Sequence, residues 1–189
     1  MTNYKEIFNQ LVNVFKNEMI SLDEIRAYMV DVMSFDDSYD LTGSHPSTRE
    51  NVSLNVIFLM DREQTVPQEN QIRFQNTIKF ASTVPGLIAA TCIVIGPKSI
   101  VPTHLDDMER PMYDMNTWYS VLIGVDVPSD QPDLLAMSID DAIYTHAQGT
   151  AIIFDTQIPH SAWNHTDRYW ISLRLRMEKS FLENENIIK

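Results

Sequence analysis

Residues Gly86–His104, GLIAATCIVIGPKSIVPTH, decide the fold class. The stretch is rich in β-branched residues, is broken by Gly96 and Pro97, and resumes as a second short apolar run. That is the signature of consecutive strands joined by a tight turn. The pattern continues downstream in WYSVLIGVDV, AIYTHAQGTAIIFD and YWISLRLRM, and is announced upstream by the alternation of NVSLNVIFLM. Before these lie apolar residues at helical spacing: Phe8, Leu11, Val12, Phe15 and Met19, then Ile25, Tyr28, Met29 and Val32 after a Ser21/Glu24 capping box. Ile72, Phe74 and Ile78 mark a further short packed helix, whereas residues 34–51 carry turn formers without a period. Many short strands behind a helical N-terminal third predict a mainly β fold, a sandwich or jelly roll of double-stranded β-helix type with helices on its outer face.

Length and composition narrow the partners. A chain of 189 residues builds one core, so a single domain is expected over 1–189: helices and loop to residue 50, a jelly-roll core over 51–177, and a polar tail over 178–189 that frays. The formal charge of −12 argues against affinity built on phosphates or anionic lipid, which excludes nucleic acid and a membrane surface as expected partners. Cys92 is the only cysteine, so no intrachain disulfide is possible, and its β-rich surroundings suit a buried, inert thiol. Neither a secretory leader pattern nor a membrane-length apolar run is seen, and the expectation is a cytoplasmic protein; a homodimer is left open.

Two of the five histidines stand at strand ends. His104 closes KSIVPTH and precedes Asp106 by two residues, a spacing that puts both side chains on one side of an extended chain. Asp107 would serve in its place only if the chain kinked. His160 follows the break made by Asp155 and Pro159 after the apolar strand begun at Gly149. Two such ends facing each other across a barrel mouth could bring His104, Asp106 and His160 to one cation, the two-histidine, one-carboxylate set of non-haem Fe(II). Taken alone, the His–Asp spacing reads equally as a surface pair in a turn. His45 and His165 fall in polar turns, and His146, before a strand, is expected to be exposed.

The stretch VPGLIAATCIVIGPKSIVPTH resembles the segment of aspartyl/asparaginyl β-hydroxylase-like proteins that leads to their first metal-binding histidine. GTAIIFDTQIPHSAWNHTD is similar to the family's more specific second signature, and the resemblance spans Val84 to Met177. It implies a jelly-roll oxygenase that uses Fe(II), O2 and 2-oxoglutarate to hydroxylate an unactivated C–H bond, with release of succinate and CO2. His104, Asp106 and His160 would hold the metal, and no separate general base is needed. Mammalian-type members carry glycine where this chain has Asp106; the carboxylate matches the bacterial, proline-hydroxylase-like branch and speaks against a halogenase. Without the additional domain of members that modify proteins, a small molecule, an amino acid or a metabolite derived from one, is the expected substrate.

One departure concerns the cosubstrate. The family's arginine ten residues after the second histidine, which grips the far carboxylate of 2-oxoglutarate, is replaced by Trp170. In YWISLRLRM, Trp170, Ser172, Arg174 and Arg176 share one face. If that face turns inward, Arg174 is the best substitute, with Ser172 and, from the strand containing Trp118, Ser120 as hydroxyl partners. If it turns outward, both arginines are surface charges; Arg168, in a turn, is a lesser candidate. Two other classes compete: a cupin-like metal enzyme that does not use 2-oxoglutarate, and a non-catalytic barrel for small ligands.

Overall fold

The computed structural model describes residues 3–19, 21, 24, 26–31, 53–62, 65–105 and 118–185. Four α-helices are described: α1 (Tyr4–Glu18), α2 (Gln68–Arg73), α3 (Gln75–Ala81) and α4 (Lys179–Asn184). The strands are β1 (Val30–Asp31), β2 (Leu54–Asp61), β3 (Leu87–Ile95), β4 (Ser99–His104) and β5 (Trp118–Asp126), followed by β6 (Leu135–Ile139), β7 (Ala142–Tyr144), β8 (Ala151–Phe154), β9 (His160–Asn164) and β10 (Trp170–Glu178). A six-stranded antiparallel sheet in the order β1-β2-β3-β10-β5-β8 faces a four-stranded one in the order β4-β9-β6-β7. The fold is the expected jelly roll.

Side-chain alternation sorts each strand of the large sheet between two apolar clusters. Cys92, Val94, Val121, Ile123, Leu173 and Leu175 point to the side covered by α1, where they meet Phe8, Leu11 and Phe15. Ile95, Leu122, Ile152, Phe154 and Trp170 point the other way, into the space between the sheets, and meet Val101, Leu135, Met137 and Ala162 of the small sheet. Cys92 is fully buried and burial pushes its thiol pKa far up, consistent with the inert role expected of it.

The helices are held by specific polar contacts as well as by their apolar faces. Asn3 caps α1 by accepting from the Glu6 backbone N–H at 3.3 Å. At the other end of α1, the buried Glu18 carboxylate accepts from the backbone N–H groups of Asn76 and Thr77, both at 2.8 Å, and from their side chains. A residue 58 positions away thus satisfies the first N–H groups of α3.

Three local expectations are corrected. The second apolar stripe is not a continuous helix: residues 26–28 form a 3₁₀ turn and β1 follows, with Tyr28 edge-on to Phe74; Ile25 and Val32 lie outside the described residues. The helix expected around Phe74 breaks there into α2 and α3, so that Phe74 is buried against Phe15 while Ile72 is 68% exposed. The segment read as a fraying tail begins as α4, anchored by the buried Leu182. Among the described residues no helix is long and apolar enough to cross a membrane.

Candidate metal and cosubstrate site

β4 and β9 are neighbours in the small sheet, and His104 at the end of one is the direct cross-strand partner of His160 at the start of the other. Their ring centroids are 4.3 Å apart. This adjacency depends on an irregularity. Val101 pairs with Ala162, and two residues, Pro102 and Thr103, then stand opposite Ser161 alone before His104 meets His160. Regular alternation from the inward-facing Val101 would send His104 outward; the extra residue reverses the parity and brings the imidazole to the inner side. Pro102, which has no N–H to give the ladder, sits in the bulge where that lack costs least.

Both imidazoles are oriented in the same way. His104 Nδ1 lies 2.7 Å from the Pro102 carbonyl oxygen, and His160 Nδ1 lies 2.9 Å from that of Ile158. A carbonyl only accepts, so each Nδ1 carries the proton and donates. The lone pair of each neutral ring then resides on Nε2, the arrangement in which a histidine presents one nitrogen to a metal and ties the other to the protein. His160 is buried, and the Phe154 ring stands 5.0 Å from it at 61°, forming an apolar wall. Among the described residues no group of three metal-ligating side chains occurs, and Asp106 lies outside them. The two-imidazole donor set fits a divalent transition metal such as Fe(II).

The face of β10 that carries Trp170 turns inward, toward the small sheet: Trp170 is buried in the cluster between the sheets. Ser172, Arg174 and Arg176 therefore also face the interior. Arg174 stands opposite Leu122, and its Nε donates to Ser120 Oγ at 2.8 Å. Ser120 is fully buried and is paired across strands with both Arg176 and Phe154. Contact by contact, the interior runs from Arg174 through Ser120 and Phe154 to His160 and His104. Ser172 is buried one position deeper, between Trp170 and Arg174. Arg168, by contrast, is exposed and paired with Asp126 at 3.1 Å.

The expectation of an exposed His146 is corrected. It has no exposed surface, its Nε2 lies 3.0 Å from the Thr150 carbonyl, and its ring meets Trp170 edge to face at 5.6 Å. The cause is a long-range contact that local sequence does not show: residues 147–150 fold against Gly124, where a Cβ would collide with the Ala147 carbonyl oxygen. Burial lowers the His146 pKa, although backbone carbonyls of Thr150 and Leu122 work in the opposite direction. His165 is exposed, as expected. Neither β6 nor β9 was legible as a strand, and the place of Phe154 beside His160 follows only once β8 and β9 are seen to face each other.

A family model described as aspartyl/asparaginyl β-hydroxylase matches residues 17–180. An ornithine lipid ester-linked acyl 2-hydroxylase from Rhizobium tropici is 33% identical over 93 residues, which are 49% of this chain and 30% of that relative, so the match takes in well under two thirds of the relative's length. Among solved structures, a prolyl-4-hydroxylase from Pseudomonas putida shares the fold with a TM-score of 0.50 at 14% identity, covering 89% of this chain and 86% of that one. A 2OG-Fe(II) oxygenase family oxidoreductase from Burkholderia pseudomallei gives a TM-score of 0.46 at 13% identity, over 85% and 78% of the two chains. On the match of the family model over most of its length, this chain belongs to the aspartyl/asparaginyl β-hydroxylase family.

Proposed function

We propose that this protein is an Fe(II)- and 2-oxoglutarate-dependent hydroxylase of a small molecule, an amino acid or a metabolite derived from one. The observation that carries the reading is the pair His104–His160, each ring held by its Nδ1 with Nε2 as the available donor, facing from the small sheet the same interior that Arg174 and Ser120 face from the large one. His104 and His160 hold Fe(II), with Asp106 as the carboxylate that completes the triad. Bound there, the metal supplies activation of O2 coupled to oxidative decarboxylation of 2-oxoglutarate.

The residues of the chain do the rest. Arg174 offers its guanidinium to the far carboxylate of the cosubstrate, and Ser120 holds the Arg174 Nε so that the remaining N–H groups form the pairing edge. Ser172 offers a further hydroxyl. Phe154 keeps water from the flank of His160. The carbonyls of Pro102 and Ile158 hold protons on the two Nδ1 atoms. No side chain needs to act as general base.

The Rhizobium tropici relative supports a second substrate reading, the acyl group of an amino-acid-containing lipid. Anaerobic titration with Fe(II) and then 2-oxoglutarate, followed by the weak visible charge-transfer band, tests the cofactor assignment. The expected result is a band that requires both additions. Iron binding without it would leave a metal enzyme that does not use 2-oxoglutarate.

A further inference from the structure

Arg176 has no role in the reading above, yet it shares the interior face of β10 with Arg174. Its guanidinium lies over the Trp118 ring, 4.8 Å from the centroid. The two arginines occupy different levels of the barrel. Arg174 stands opposite Leu122, itself paired with Ile152, whereas Arg176 stands opposite Ser120, paired with Phe154. Phe154 is the residue whose ring meets His160, so Arg176 belongs to the level of the imidazoles and Arg174 to the next one in, roughly 7 Å along the strand. Each leans one level toward the same end, Arg174 to Ser120 and Arg176 to Trp118, so the separation is kept.

From this geometry we infer that Arg176 and Trp118 form a substrate subsite for a carboxylate, separate from the position held by Arg174. The inference rests on the reading of Arg174 as the cosubstrate anchor. A guanidinium stacked on an indole is fixed in plane and presents its N–H edge as a fork matched to a carboxylate. The second group is also a donor: Trp118 Nε1 is buried and has no hydrogen-bond partner among the described residues. Indole N–H and guanidinium donate and cannot accept, so the complementary ligand group must be an acceptor, and an anionic one is favoured. A cationic or purely apolar group at the same place would leave the buried indole N–H unsatisfied, and a neutral acceptor would bring no opposite charge to the guanidinium.

The test is calorimetric and independent of turnover. Free amino acids, N-acetyl amino acids and short-chain fatty acids, each beside its carboxamide, are titrated into the anaerobic Fe(II)-loaded protein. At least one carboxylate is expected to bind ten-fold or more tightly than its carboxamide, and Arg176→Gln is expected to abolish that preference. Arg176→Lys should restore it only in part, and Trp118→Phe, which keeps a stacking ring but removes the N–H, should weaken the carboxylate several-fold. In parallel, 2-oxoglutarate affinity should fall in Arg174→Gln and stay within two-fold of the parent in Arg176→Gln. Equal binding of acid and amide, no carboxylate binding at all, or a preference that survives Arg176→Gln would overturn the subsite. So would loss of 2-oxoglutarate affinity in Arg176→Gln. If the carboxylate preference depends on Arg176 but the parent does not bind 2-oxoglutarate, the proposed cosubstrate fails and the anion subsite stands.

Discussion

The two faces of β10 differ sharply although they alternate residue by residue. Ile171, Leu173, Leu175 and Met177 enter the cluster under α1, and the described neighbours there are almost entirely apolar. Trp170, Ser172, Arg174 and Arg176 face the small sheet, and only the first of them joins an apolar cluster. Polar groups on the second face are arranged rather than merely tolerated: Arg174 is bonded to a fully buried serine, and Arg176 is stacked on a buried tryptophan. One face supplies burial and the other gives up burial for a site, which is where local rules of core composition are expected to be broken.

The sharpest way to test this contrast is to truncate each face in turn. Leu173→Ala on the helix side should lower unfolding free energy by about 2–5 kcal/mol, read from urea denaturation midpoints, because it removes a fully buried side chain from a packed cluster. Arg174→Ala on the other face should weaken 2-oxoglutarate binding by about 1.5–3 kcal/mol, the loss of hydrogen bonds to a charged group, with iron binding retained. If Leu173→Ala were harmless or Arg174→Ala left cosubstrate affinity unchanged, the division of labour between the faces would be wrong.

Much of this contrast was legible in YWISLRLRM, because a strand's period of two needs no tertiary information. The direction of the Trp170 face was not, since local alternation does not say which side carries the helices. His104 shows a different obstacle. Its inward orientation depends on the bulge at Pro102–Thr103, and a plain reading of alternation from Val101 puts it on the wrong side. β9, HSAWN, carries polar residues at its inward positions: His160 belongs to the site, and Asn164 donates to the backbone carbonyls of Gly96 and Arg168. An inward face that is polar erases the hydrophobic alternation by which a strand is recognised. Asp106 was placed by spacing and resemblance alone and lies outside the described residues.

A smaller effect sharpens the comparison within the interior itself. His146 and Trp170 pack against each other, away from the paired histidines, and burial holds the His146 pKa below its ordinary value of 6.5. The unfolded chain therefore takes up this proton first as pH falls. The contribution of His146 to stability is complete above about 6.5 and is lost as pH drops through the lower folded value. Urea midpoints measured from pH 8 to pH 5 should decline more steeply for the parent than for His146→Gln. Identical slopes would mean that His146 is not buried as a neutral ring.

The paired histidines are the centre of the account, and Fe(II) calorimetry under anaerobic conditions tests them most directly. The parent should bind one Fe(II) per chain. His160→Ala, His104→Ala and Asp106→Ala should each lose that binding, since each removes one of the proposed ligands. Circular dichroism should show all three still folded. Unchanged Fe(II) affinity in His160→Ala and in His104→Ala would contradict the site.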